Sequence, residues 1–129
     1  YVVIEGDLLS GEDRTLTAFL RAGLASPHTT PFDGGFQTGL LLTPAFTARP
    51  NSQFSIGVQH AWTNDAFRDA FRAQGGIPTG GESGLEVTYA DSLTDWLTIQ
   101  PDLQWVHNPG SDAPAGDVVV ATLRLTASF

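Results

Sequence analysis

The last stretch of the chain, residues 117–129 (DVVVATLRLTASF), alternates with a strict period of two. In an extended strand Val119, Ala121, Leu123, Leu125, Ala127 and Phe129 fall on one face, and Val118, Val120, Thr122, Arg124, Thr126 and Ser128 on the other. The first face is wholly apolar. The second turns polar from its middle and carries an arginine, which a strand held between two dry layers could not easily keep, because a buried unpaired charge is too costly. A strand of this length extends for about 40 Å at roughly 3.3 Å per residue. That is long for a globular domain and ample for a tilted membrane-spanning barrel strand, which needs roughly 9–11 residues. Two architectures accept such a strand: a barrel wall between lipid and water, or the edge of a soluble sandwich.

The same alternation recurs upstream. Residues 15–25 set Leu16, Ala18, Leu20, Ala22 and Leu24 against Thr17, Phe19, Arg21 and Gly23; residues 36–43 set Phe36, Thr38, Leu40 and Leu42 against Gln37, Gly39 and Leu41. Residues 53–63 set Phe54, Ile56, Val58, His60 and Trp62 against Ser55, Gly57, Gln59 and Ala61. Residues 82–90 place Leu85, Val87 and Tyr89 opposite Glu86 and Thr88, and the run 95–106 places Leu97, Ile99, Pro101, Leu103 and Trp105 opposite Thr98, Gln100, Asp102 and Gln104. Consecutive polar positions on one face of that run are hard to satisfy in a dry core and easy to satisfy against water. Residues 2–5 read as the tail of one further strand. The intervening stretches 6–14, 26–35, 44–52, 91–94 and 107–116 read as connections, with prolines and paired glycines excluding a regular strand in 26–35.

One connection differs. Residues 64–83 form a long break that opens with a helical segment, 64–74, where Asp65 can cap, Phe67 and Phe71 lie four apart on one face, and Gly75-Gly76 stops the run. A helix of about three turns is too short to stand alone, so Phe67 and Phe71 are expected to dock on the barrel rim or a neighbouring loop. The glycines that follow are not a phosphate-binding loop, since Pro78 interrupts them and no Gly-Lys-Ser/Thr follows.

Composition removes several classes of function. There is no cysteine, hence no disulfide framework and no thiolate chemistry. There is no methionine even at position 1, which suits a processed or partial chain. Six basic residues against fourteen acidic ones, a net charge of -8, argue against a nucleic-acid surface. The three histidines lack ligand spacing, so no metal and no cofactor are expected. Glu86 and Asp102 could be taken for a glycosidase pair, but nothing around them in sequence indicates a catalytic cleft, and no catalytic residue is assigned.

Taken with the alternating strands, the segments SGLEVTY, WLTIQPDLQWVHNPG and LRLTASF, and the earlier run LTAFLRAGLASPHTTPFDGGFQTGLL, resemble the carbohydrate-selective porins of the OprB family. The resemblance covers nearly the whole chain. It implies an all-β fold, an antiparallel transmembrane β-barrel of about sixteen strands, of which residues 1–129 would be an incomplete C-terminal portion of about seven. It also implies the bacterial outer membrane as location, and passive diffusion of small, mainly neutral carbohydrates through a water-filled pore. The partners would be outer-membrane lipid, small sugars, and the remaining strands from absent chain or another polypeptide; no oligomeric state follows. Two other readings are a soluble carbohydrate-binding β-sandwich, with Trp62, Tyr89 and Trp105 lining a cleft, and a plugged barrel with a structural or export role.

If Phe129 lies at the periplasmic rim, the 64–83 connection becomes an external loop. Phe36, Trp62 and Trp105 then form an outer aromatic girdle, and Phe54, Tyr89 and Phe129 an inner one. The residues expected to face the lumen are Arg21, Gln37, Gln59, Glu86, Gln100, Asp102, Gln104 and Arg124.

Overall fold

The computed structural model describes residues 1–26 and 28–128. Seven strands, β1 (Val2–Ser10), β2 (Thr15–Leu24), β3 (Phe32–Thr43), β4 (Gln53–Thr63), β5 (Gly81–Thr94), β6 (Leu97–His107) and β7 (Val118–Ala127), follow one another in sequence and in space as one antiparallel meander. A short helix, α1 (Asp65–Ala73), sits in the β4–β5 connection, and two 3-10 turns (Pro109–Ser111 and Ala113–Ala115) sit between β6 and β7. The sheet is a single layer. Among the described residues Ala45 is the one buried apolar side chain, while Val119, Leu123 and Leu125 are each more than 60% exposed. A sandwich buries an apolar layer between two sheets, so the soluble sandwich reading is set aside by this topology.

Several boundaries differ from the sequence reading. The 64–83 connection ends at residue 80, because Gly81, Glu82 and Ser83 pair with Trp62, Ala61 and His60 as the start of β5. β1 runs to Ser10 instead of ending at Glu5, because Gly6 and Asp7 continue the ladder opposite Ala18 and Thr17, and a bulge between Asp7 and Leu9 absorbs the irregularity. β3 begins at Phe32, inside the stretch thought to exclude a strand. Gly34 and Gly35 are in the ladder because side chains would not fit there: a Cβ would stand 2.5 Å from the Gly23 carbonyl oxygen at Gly34 and 2.7 Å from that of His60 at Gly35. β5 continues through 91–94, leaving residues 95–96 as the turn into β6. With these corrections the connections at the Ser10/Thr15 end are 11–14, 44–52 and 95–96, and those at the other end are 25–31, 64–80 and 108–117; the second set is longer on average, although 44–52 exceeds 25–31. Pro27 and Phe129 lie outside the described residues, and with Phe129 the inner-girdle assignment at that position.

Candidate functional site: the polar face of the sheet

The register settles which side chains share a face, since residues directly opposite in an antiparallel pair point the same way. Arg21 is opposite Gln37 and Gln37 opposite Gln59; Glu86 is opposite Gln104; Gln100 is opposite Arg124; Asp102 lies between Thr88 and Thr122. Gln59 is opposite Gly84, two residues before Glu86, so all the sequence-assigned polar residues stand on one face. The other face carries Leu20, Val58, Val87, Leu103 and Leu125 by the same parity.

On the polar face three rows cross the sheet from β1 to β7. The upper row reads Val3, Arg21, Gln37, Gln59, Gly84, Val106, Val118; the middle row Glu5, Phe19, Gly39, Gly57, Glu86, Gln104, Val120; the lower row Asp7, Thr17, Leu41, Ser55, Thr88, Asp102, Thr122. Cross-strand hydrogen bonds knit them. Gln37 Nε2 donates to Gln59 Oε1 at 2.9 Å and Gln104 Nε2 to Glu86 Oε2 at 3.1 Å. Thr88 Oγ1 lies 2.7 Å from Asp102 Oδ2 and 3.1 Å from Glu86 Oε1, and its single proton favours the shorter contact. Thr122 Oγ1 donates to the other Asp102 oxygen at 3.3 Å, and Thr17 Oγ1 to Asp7 Oδ1 at 2.8 Å. Glu86 and Asp102 are thus members of a hydrogen-bonded wall.

Glu5 and Asp7 also stand on this face; Gly6 reads in sequence as the end of the strand, and the parity of Val3, Glu5 and Asp7 is the signal that it continues. Sequence alone leaves Phe19 unassigned. That ring leans over Gly39, where a Cβ would meet Phe19 Cε1 at 2.8 Å, and the Arg21 guanidinium carbon lies 5.5 Å from the ring centroid. Gly39 therefore makes room for an aromatic ring rather than simply widening the face.

On the apolar face the aromatics gather near the two ends of the strands. Phe36, His60 and Trp62 cluster with centroids 5.2–6.4 Å apart, and Trp105 stacks on His107 at 5.7 Å. Asp117 accepts from Trp105 Nε1 at 3.1 Å and lies 2.7 Å from His107 Nδ1. Toward the opposite end Phe54 is opposite Tyr89, whose ring meets Phe46 edge-on at 5.9 Å. The Phe46 turn is fastened to β5 by an Arg49–Asp91 ion pair, and within β5 Tyr89 Oη donates to Asp91 Oδ2 at 2.9 Å. The hydrogen bond that Arg49 Nε donates to Asp91, together with the Asp91 negative charge, raises the Arg49 pKa above the ordinary arginine value.

At the long-loop end, the cap of α1 is Asn64, not Asp65: its Oδ1 accepts from the Phe67 amide at 2.7 Å, while Asp65 pairs with Arg68. Asn64 Nδ2 donates to the Thr30 carbonyl at 2.8 Å, and the Thr79 and Ala113 amides donate to the Ser111 and Ile77 carbonyls at 2.8 and 2.9 Å. The three connections at this end are thereby tied together. Phe67 and Phe71 stack on each other at 5.5 Å, and the Phe71 ring covers Gly76. Both are half-buried, and α1 has no fully buried residue.

The model of the carbohydrate-selective porin, OprB family, matches residues 1–129. Porin B of Pseudomonas aeruginosa is 24% identical over an alignment that covers 90% of this chain and 28% of that protein. A solved high-pH structure of Pseudomonas putida OprB is similar with a TM-score of 0.85 and 27% identity, covering 98% of this chain and 34% of that one. The chain spans about a third of the length of these relatives. It belongs to the carbohydrate-selective porin, OprB family, of the bacterial outer membrane.

Proposed function

We propose that these seven strands form part of the wall of a water-filled pore through which small, mainly neutral carbohydrates diffuse passively, with the polar face toward the lumen and the apolar face toward lipid. The observation that carries this reading is that Arg21, Gln37, Gln59, Glu86, Gln100, Asp102, Gln104 and Arg124 all share one face of the seven-stranded sheet, with Leu20, Val58, Val87, Leu103 and Leu125 on the other. Amides, hydroxyls and charges on one side suit hydrated polyhydroxyl solutes, and an exposed aliphatic face on the other suits acyl chains. The aromatics agree with that orientation. From Phe54 to Trp62 the chain rises about 27 Å at ~3.4 Å per residue, or about 20 Å of height at a tilt of ~40°, close to the apolar band of a membrane barrel. The end with the longer, interconnected loops, including 64–80 with its helix, would then be external. Residues 1–129 would act as one part of a single barrel domain closed by further strands. The test is reconstitution of the full-length protein in lipid: ion conductance together with flux of a neutral monosaccharide is expected, and a protein that inserts but passes neither would refute the proposal.

A further inference from the structure

Between Phe19 on β2 and Glu86 on β5, the middle row of the polar face holds two glycines, Gly39 and Gly57. Neighbouring strands lie about 4.8 Å apart, so this leaves a trough with a floor of bare backbone. The Phe19 ring leans into it from one side, Glu86 and its donor Gln104 close the other, and the hydrogen-bonded Gln37 and Gln59 amides stand along the adjacent row. Over the trough lies a cavity of about 230 Å³ whose lining includes Phe19, Arg21, Gln37, Gln59, Glu86 and Gln104.

We propose that this trough is a monosaccharide subsite on the pore wall, in which the face of the Phe19 ring stacks against the C–H face of one pyranose while the flanking side chains take its hydroxyls. The inference rests on the pore reading above and adds a ligand geometry to it. A pyranose presents weakly positive, apolar C–H groups on a ring face and hydroxyls around its rim. An aromatic face is electron-rich and apolar, and here it is set beside a guanidinium, carboxamides and a carboxylate, which supply donors and acceptors for rim hydroxyls. The volume falls below the roughly 300–1,000 Å³ of pockets for drug-sized molecules and is on the scale of a single sugar ring seated in the trough. Phe19 is half-buried with Arg21 beside it, and a cation–π contact at an exposed site is weak. The flexible guanidinium can therefore leave the ring for a hydroxyl.

The test uses the full-length protein in planar bilayers, with methyl β-D-glucopyranoside as the ring-locked probe and D-glucitol as the acyclic control, dwell times being read from sugar-induced current noise. Phe19→Leu is expected to shorten the pyranoside dwell time by roughly three- to tenfold, the range set by loss of aromatic stacking, while the glucitol response stays unchanged. Gly57→Val, at a position where a Cβ would meet nothing nearer than the Thr38 carbonyl oxygen at 3.5 Å, fills the trough from its floor and should have the same selective effect. Wild-type pyranoside dwell times in both variants, or equal losses for pyranoside and glucitol, would overturn the subsite and leave the pore standing. A wild-type protein without conductance or sugar flux would instead overturn the pore reading.

Discussion

Replacing Asn64 isolates the joint on which the long loops hang. Its side chain makes two hydrogen bonds of different purpose: Oδ1 caps α1 by accepting from the Phe67 amide at 2.7 Å, and Nδ2 donates to the Thr30 carbonyl at 2.8 Å in the neighbouring loop. The residue is 2% exposed, so water cannot readily replace either partner. Asn64→Ala removes a cap worth about 1 kcal/mol and an internal hydrogen bond worth about 1 kcal/mol. The sum, about 2 kcal/mol, corresponds to a roughly 30-fold larger opening constant for the loop, with strand stability little changed because α1 buries no residue. Hydrogen exchange on the full-length protein in lipid reads this directly, as a ~30-fold loss of protection confined to residues 64–74. Asn64→Asp separates the two bonds. It keeps an acceptor for Phe67 and places a negative charge at the helix N-terminus, but it loses the donor to Thr30. Phe67 should stay protected while the Asn64 amide, which donates to the Pro31 carbonyl at 3.0 Å, exchanges faster. Protection of α1 within about threefold of wild type in Asn64→Ala, or a loss spread equally over β4, would refute the reasoning.

Three further outcomes follow from the same geometry. The chain has no cysteine, so single cysteines can be scanned without background: a water-soluble thiol reagent should label positions 21, 86 and 124 and spare 20, 87 and 125, and the reverse pattern would overturn the assignment of faces. Arg49→Ala leaves the buried Asp91 carboxylate with only the Tyr89 hydroxyl, so exchange at the Ala45 and Ser52 amides, which close the 44–52 turn, should accelerate; unchanged exchange would mean the ion pair does not hold the turn. The polar face carries Glu5, Asp7, Glu82, Glu86 and Asp102 against Arg21 and Arg124, so Glu86→Gln with Asp102→Asn should lower the cation-over-anion permeability ratio measured from reversal potentials, and an unchanged ratio would place these carboxylates away from the ion path.

The strand alternation was legible because its cause is local. β4 falls on the expected residues, 53–63, and α1 inside the expected 64–74, since each is marked by its own periodicity and its own stop signal. What sequence concealed was set by neighbours in space. Gly34 and Gly35 look like loop residues until Gly23 and His60 are seen pressing their carbonyl oxygens against them. Gly6 looks like a turn until Ala18 is placed opposite it. The Arg49–Asp91 pair joins residues 42 positions apart, and the loop ties through Thr30, Ile77 and Ser111 use backbone carbonyls, which leave no mark on residue identity. Polar residues of the site were legible as a parity class, whereas the place of Phe19 among them required the glycines of two other strands.

The residues that give the polar face its chemistry also fix how the sheet is assembled. Among the described residues every strand pairs only with its sequence neighbours, and no second layer holds the sheet flat or in register. Backbone pairing alone would tolerate a slip, since a ladder shifted by one residue can still form hydrogen bonds. The side chains cannot tolerate it: a one-residue slip would carry Arg21 on β2, Glu86 on β5, Asp102 on β6 or Arg124 on β7 to the apolar face. For an arginine near the membrane midplane that costs about 2–4 kcal/mol, and the same slip would strand the cross-strand partners Gln104 and Thr88 as well. Each such residue therefore pins its own strand. β3 and β4 lack a mid-strand charge but carry the Gln37–Gln59 bond, which forms only when the two are in register. The unpaired outer edges of β1 and β7 have no such safeguard inside this chain. In lipid an open edge leaves backbone groups without partners, so the outer edges of β1 and β7 would need further strands beside them.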